Sequence, residues 1–160
     1  MNSPFPNNGS ARPLVLAISS GGGHWIQLLR LRPAFDGCDV VYATVKEGYR
    51  SDLDANARFH VVPDGNRWNK WNLLRSAACI LFLLLRLRPD AIVTTGAAPG
   101  YFALRIGKWL GARVVWIDSI ANAEELSMSG RKAGRIADLW LTQWPHLARD
   151  GGPQCFGSVL

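Results

Sequence analysis

Short apolar runs recur along the chain. Each leaves through a polar or glycine-bearing exit into a longer segment whose apolar residues fall at helical spacing. The first run, Leu14-Val15-Leu16-Ala17-Ile18, is led in by Pro13 and shows no alternation. Such a run reads as a strand buried on both faces, the kind that parallel sheets contain. Asp39 to Thr44, Phe59 to Val62, Ala91 to Thr94, Arg113 to Ile117 and Ala137 to Thr142 repeat the signal, and Gln154 to Phe156 is read as a last short strand. Between them lie the amphipathic segment Trp25 to Leu31, a short helix within the polar stretch Lys46 to Asn56, the apolar run Leu73 to Leu87, and a helix from about Pro99 to Leu110. Pro63-Asp64-Gly65-Asn66 is a turn signal. Strands alternating with helices predict a doubly wound parallel α/β sheet with right-handed crossovers. The expected organisation is a single domain over residues 13–160 behind a flexible tail, 1–12, rich in Pro, Asn, Ser and Gly.

A sheet of that kind brings the carboxyl end of every strand to one rim, where open α/β sheets bind ligands. The exits that would share it are Ser19-Ser20-Gly21-Gly22-Gly23-His24, Thr95-Gly96-Ala97-Ala98-Pro99-Gly100, Asp118-Ser119-Ile120-Ala121-Asn122 and Thr142-Gln143. Three successive glycines let the backbone turn sharply and approach a ligand, and the following helix offers unpaired N–H groups to a phosphate. A tight strand-to-helix turn with no ligand is the alternative. The loop is not a full dinucleotide fingerprint. Ile26 stands at the third glycine position, and Thr44 closes the second strand where an acidic residue would bind ribose. A nicotinamide-dependent oxidoreductase is therefore the weaker reading.

Net charge of +6 and a pI near 9.7 favour an anionic partner. No nucleic-acid-binding module is recognisable, which leaves acidic lipid or a phosphorylated ligand. Cys38, Cys79 and Cys155 are scattered and read as packing residues, and His24, His60 and His146 are equally dispersed, so no metal site is expected. The N-terminus lacks the pattern of a signal peptide, which predicts no export. From Ala77 to Leu85 nothing polar interrupts the chain, yet this is well short of the roughly 20 residues that span a bilayer. Trp68, Trp71, Arg75, Arg86 and Arg88 flank the run, as in a helix resting among lipid headgroups. A helix buried beneath the sheet is compatible with this, since one side can pack while the other meets lipid.

The glycine loop, Thr94-Thr95-Gly96-Ala97, and above all Asp118-Ser119, Leu126-Ser127-Met128-Ser129-Gly130-Arg131, Ala137-Asp138 and Gln143-Trp144-Pro145 resemble one group of proteins. This is the acceptor-side subunit of two-component glycosyltransferases. Its eukaryotic member helps add the second N-acetylglucosamine to dolichyl-pyrophosphate-linked sugar, and its bacterial PssD-like and EpsE-like members work in exopolysaccharide and capsule assembly. The resemblance runs from about Leu14 to Leu160 and extends to MurG. It implies a Rossmann-like domain equivalent to the N-terminal half of a GT-B transferase. A small C-terminal-type subunit would supply the nucleotide-sugar site, and the chain length fits one half. Two departures stand out. The transmembrane anchor with which family members generally begin is not visible, so attachment to the cytoplasmic face of the inner membrane would be peripheral, through Leu73 to Leu87 or the partner. The family's Glu-Ser pair is Asp118-Ser119 here, one methylene shorter in reach.

The resemblance also implies the chemistry. A sugar hydroxyl of a lipid-pyrophosphate-linked acceptor attacks the anomeric carbon of a UDP-sugar donor with inversion, and no metal or other cofactor is required. The hydroxyl needs a base, for which His24 and Asp118 are both candidates. Ser20, Gly21, Gly22, Gly23, Thr95 and Gly96 are the diphosphate- and donor-binding positions. Ser119, Asn122, Ser127, Ser129 and Arg131 are the acceptor-binding ones.

Overall fold

Six strands, every pair parallel, make one sheet in the order β3-β2-β1-β4-β5-β6 in the computed structural model, which describes residues 12–65 and 70–159. The strands are β1 (Leu14–Ile18), β2 (Asp39–Thr44), β3 (Arg58–Val61), β4 (Ala91–Thr94), β5 (Arg113–Ile117) and β6 (Leu139–Leu141). The helices are α1 (Gly23–Arg30), α2 (Lys70–Leu87), α3 (Ala97–Trp109) and α4 (Met128–Ala133). The Rossmann-like doubly wound arrangement expected from the apolar runs is the one observed. The N-terminal tail except Arg12, together with Arg67, Trp68 and Leu160, lies outside the described residues.

Period-2 alternation splits the buried side chains between two cores. Leu16, Ile18, Val41, Ile92, Val114 and Trp116 face α2 and α3, whereas Val15, Ala17 and Tyr42 face Trp25 and Leu28 of α1. Four strands end where the residue pattern placed them. β3 begins and ends one residue earlier than expected; Val62, just past it, still donates its N–H to the Thr44 carbonyl at 2.8 Å and is buried against the helical side. The sixth strand is only three residues, because Thr142 leaves the β5 ladder to bond with Gln154. The expected seventh strand is a single bridge between Leu141 and Gln154.

On α2 one side packs and the other is left exposed. Ser76, Ile80, Leu83 and Leu84 are buried, while Trp71 is 80% and Phe82 is 67% exposed on the outward side with Leu74 and Leu85. No helix among the described residues is long and apolar enough to cross a membrane.

Candidate functional site

The exit from β1 turns at Gly22, whose φ of +66° with ψ of −138° is open to glycine and strained for any other residue. The Tyr49 hydroxyl lies over this turn and accepts the Gly22 N–H at 2.7 Å, and a Cβ on Gly21 would come to 2.9 Å of the same oxygen. Tyr49 is held in turn by the buried Trp25. That ring stacks at a tilt on Tyr49, 5.5 Å between centroids, and its Nε1–H donates to Asp52 at 2.8 Å. The N-cap of α1 has no side-chain partner; Trp25 and Ile26 N–H return to the Gly22 carbonyl, and the amides of Gly23 and His24 precede them at the free end.

The exit from β4 repeats this arrangement alongside. Gly96 has φ of +125° and caps α3 without a side-chain bond, and Ala97 follows at φ +66°. A left-handed alanine costs on the order of 1–3 kcal/mol and persists only where its surroundings impose it. Two short bonds between the loops do so: Thr95 Oγ1 donates to the His24 carbonyl at 2.7 Å, and His24 Nδ1 stands 2.7 Å from the Thr95 carbonyl. A carbonyl can only accept, so Nδ1 carries a hydrogen, and the tautomer of the neutral ring that fits here has its lone pair on Nε2. A Cβ at Gly96 would fall 2.9 Å from His24 Cε1. β1 and β4 are neighbours, and the winding of the sheet reverses between them. Two helix N-termini without side-chain caps thus stand side by side at that switch point, joined by a histidine clasp, an arrangement that turns backbone donors and positive dipole ends toward one place on the rim.

At the exit from β5 the carboxylate of Asp118 is 2% exposed and fully engaged. It accepts the Ser127 hydroxyl at 2.6 Å, the Ser127 N–H at 2.9 Å and the Trp116 Nε1–H at 3.3 Å. The Ser127 hydroxyl then accepts the Gly130 N–H at 2.8 Å, which caps α4. A Cβ on Gly130 would come to 2.8 Å of Asp118 Oδ1. Of the two residues expected as candidate bases, Asp118 thus sits where it braces the loop, and only His24 presents an open nitrogen.

Two glutamines complete the rim: Gln143, expected there at the exit of the sixth strand but given no role, and Gln27, which residue patterns did not single out. Gln27 and Gln143 are both 5% exposed; Gln143 Nε2 donates to Gln27 Oε1 at 2.8 Å and to the Asp118 carbonyl at 3.0 Å. Gln27 Oε1 also accepts the Ile120 N–H, and its Nε2 donates to Ser119 Oγ at 3.2 Å. The available signal was a glutamine between Trp25 and Leu28, on the buried side of an amphipathic helix. Gln143 Oε1 accepts the Val159 N–H, which ties the C-terminal segment to the same network.

The remaining expected positions divide. Ser20 offers its carbonyl to Ser19 and Thr44 hydroxyls, so it fixes the start of the glycine loop through its backbone. Ser119 belongs to the buried glutamine network, and its carbonyl accepts the Asn122 N–H in a turn. Arg131 points away, to Glu125 at 3.1 Å and the Leu126 carbonyl at 2.7 Å, and Ser129 is half-buried within α4. Burial pushes the Asp138 carboxyl upward. The bond from Lys108, the Val114 N–H and the charges of Lys108 and Arg113 outweigh this and hold it below its usual range. Asp138 therefore pins β5 to α3. Thr44, where a ribose-binding acid would stand, is buried with its hydroxyl on the Ser20 carbonyl, which weighs against a nicotinamide site.

Comparison with known proteins bears on what this site serves. A family model described as "Oligosaccharide biosynthesis protein Alg14 like" matches residues 55–159. The UDP-N-acetylglucosamine transferase subunit ALG14 of Eremothecium gossypii is 28% identical, covering 91% of this chain and 80% of its own length. The human protein of the same name is 26% identical, covering 83% and 76%. Among solved structures, Acinetobacter baumannii MurG superposes with a TM-score of 0.74 at 15% identity over 92% of the chain. UDP-N-acetylglucosamine 2-epimerase of Rickettsia bellii does so with 0.69 at 13% over 93%. The chain spans about half the length of these two structures, 46% of each. At such identities they show the fold.

Proposed function

From the premise that the chain belongs to the family of Alg14-like oligosaccharide biosynthesis proteins, we propose that it is the acceptor-binding half of an inverting, UDP-sugar-dependent glycosyltransferase. Its acceptor is a saccharide on a lipid pyrophosphate, in lipid-linked oligosaccharide or exopolysaccharide assembly. The names of the two relatives make N-acetylglucosamine the donor sugar to test first. The observation that carries this reading is the pair of helix N-termini joined by His24 and Thr95. Gly21 to Gly23 and Gly96 shape the two turns that face the pyrophosphate; the Gly22 N–H is held by the Tyr49 hydroxyl and the Gly96 N–H by the Thr94 hydroxyl, which leaves the Gly23 and His24 amides at the start of α1 as the donors. Ser119 and Ser127, fixed by Gln27 and Asp118, shape the acceptor side, with Asn122, Ser129 and Arg131 on the loop beyond.

In the reaction, His24 Nε2 takes the proton of the acceptor hydroxyl as its oxygen bonds to the anomeric carbon. The bond from that carbon to the donor diphosphate breaks on the opposite face, UDP leaves with the electron pair, and the imidazolium then releases its proton to solvent. The clasp to Thr95 keeps the ring in the tautomer that can do this. Backbone amides at the helix ends offset phosphate charge.

The second half of the site comes from a separate, small nucleotide-sugar-binding subunit. The full chain incubated with UDP-N-acetylglucosamine and a lipid-pyrophosphate acceptor is expected to give no transfer, and adding that partner restores it. Robust turnover by the chain alone would overturn the half-enzyme reading.

The outward side of α2 rests peripherally on the cytoplasmic face of an anionic membrane. Trp71, Leu74, Ala78, Phe82 and Leu85 follow helical spacing, and the exposed Lys70, Arg75, Arg86 and Arg88 border them. Each large side chain buried in lipid contributes about 1.5–3 kcal/mol. Trp71→Ser with Leu74→Ser is therefore expected to weaken vesicle partitioning at least about 100-fold by co-sedimentation, and an unchanged partition coefficient would remove this helix from the interface.

A further inference from the structure

At the edge of the sheet, strand β3 and helix α2 enclose a cleft of about 480 Å³. Arg58, His60, Val61 and Val62 line it from the strand side. Cys79, Phe82, Leu83, Arg86 and Leu87 face it from the other, at the i, i+3, i+4, i+7, i+8 spacing of a single helix face. The strand and the helix run in opposite directions, so Arg58 at the start of β3 meets Arg86 at the end of α2. The cleft therefore has a cationic end and an apolar remainder.

The cationic end is not neutralised by the protein. Among the described residues neither arginine has a carboxylate within ion-pairing distance; the two ion pairs present are Lys108–Asp138 and Arg131–Glu125. His60 registers the same imbalance. Burial first, and then the charges of Arg58 and Arg86, hold its pKa below the ordinary imidazole value, with no acidic group acting the other way. Holding cations beside one another is unfavourable unless an anion joins them, and two guanidinium groups match the oxygens of a phosphate. The volume lies within the roughly 300–1,000 Å³ of small-ligand sites. Phe82 belongs both to the cleft wall and to the exposed apolar side of α2, so the apolar part of the cleft is continuous with the surface assigned to the bilayer.

We propose that the α2–β3 cleft is a binding site for one anionic phospholipid, whose headgroup phosphate sits between Arg58 and Arg86 and whose chains pass over Val62, Leu83 and Phe82 into the bilayer. The site is separate from the His24 rim. It rests on the reading of α2 as the membrane-facing helix and adds to it a stoichiometric recognition of headgroup charge.

Two probes of the full chain test this. Vesicles of phosphatidylcholine with and without 30 mol% phosphatidic acid measure headgroup preference by co-sedimentation, and dihexanoyl phosphatidic acid below its micelle concentration is titrated against the His60 imidazole NMR signals. The expected results are at least a tenfold preference for phosphatidic acid vesicles and saturable movement of the His60 signals. Arg58→Gln with Arg86→Gln is expected to reduce the preference to about twofold and abolish the movement. Removing two charges elsewhere, Lys46→Gln with Arg113→Gln, is expected to leave most of both. The proposal fails if that control pair loses as much as the cleft pair, or if the soluble lipid leaves His60 unmoved. It fails as a lipid site if inorganic phosphate at equal concentration moves His60 as far. If Trp71→Ser with Leu74→Ser still sediments like the unaltered chain while the soluble lipid titrates His60, the cleft stands and the membrane-facing role of α2 falls.

Discussion

Replacing His24 with alanine is expected to lower kcat of the reconstituted two-subunit enzyme by about 10²–10⁴-fold, the usual contribution of a positioned general base. The expectation follows from the clasp: Nδ1 is committed to the Thr95 carbonyl at 2.7 Å, so Nε2 is the nitrogen able to accept a proton. Alanine alone does not separate a base from a strut, because it also releases the β4 loop and the left-handed Ala97 beside it. Asparagine does. Its amide can donate to the Thr95 carbonyl from nearly the position of Nδ1, but it has no basic nitrogen. His24→Asn is therefore expected to keep KM for the acceptor within about threefold and to lose kcat nearly as far as alanine. Recovery of most of the turnover by asparagine would make His24 a positioning residue and leave the reaction without a base on this chain.

Asp118→Ala is expected to destabilise the chain by about 3–5 kcal/mol, since it removes a buried charged acceptor and strands its donors. The Ser127 N–H and hydroxyl and the Trp116 indole N–H all converge on this carboxylate, and through Ser127 it caps α4. That loss is a large share of the roughly 5–15 kcal/mol available to a domain. For a chain of this size it corresponds to a fall in Tm of about 6–20 °C. Asp118→Asn keeps the shape but presents an N–H where Ser127 also donates, so about half the loss is expected. Chemical denaturation followed by Trp fluorescence measures both. The same variants decide between the two roles the sequence left open for this residue. With the complex assayed well below its melting temperature, Asp118→Asn is expected to retain kcat within about tenfold. A thousandfold loss at unchanged fold would restore Asp118 as the base.

Much of this molecule was readable from residue order because parallel strands leave a simple signature. Both faces are covered, so β1, β2, β4 and β5 appear as unbroken apolar runs, and their bounds agree with the sheet. Edges were less legible. β3 and β6 have fewer neighbours to impose a pattern, and their ends depend on where Val62 and Thr142 find partners. The glycine and serine exits were visible as chemistry, and the strand alternation placed them on one rim.

Which of those residues are free to react was decided only in three dimensions. Asp118 and His24 look alike in the chain: each is a titratable group just past a buried strand. Asp118 meets Ser127 nine positions on and is saturated by it; His24 meets Thr95, 71 positions away, through one nitrogen and keeps the other. Tyr49 over the glycine turn, Gln143 against Gln27 and Arg58 opposite Arg86 are likewise products of pairing between distant segments. Local composition fixes which backbone shapes are affordable and which faces must be buried. Hydrogen-bond saturation and unbalanced charge are properties of neighbours in space, and they exist only once the sheet has brought those neighbours together.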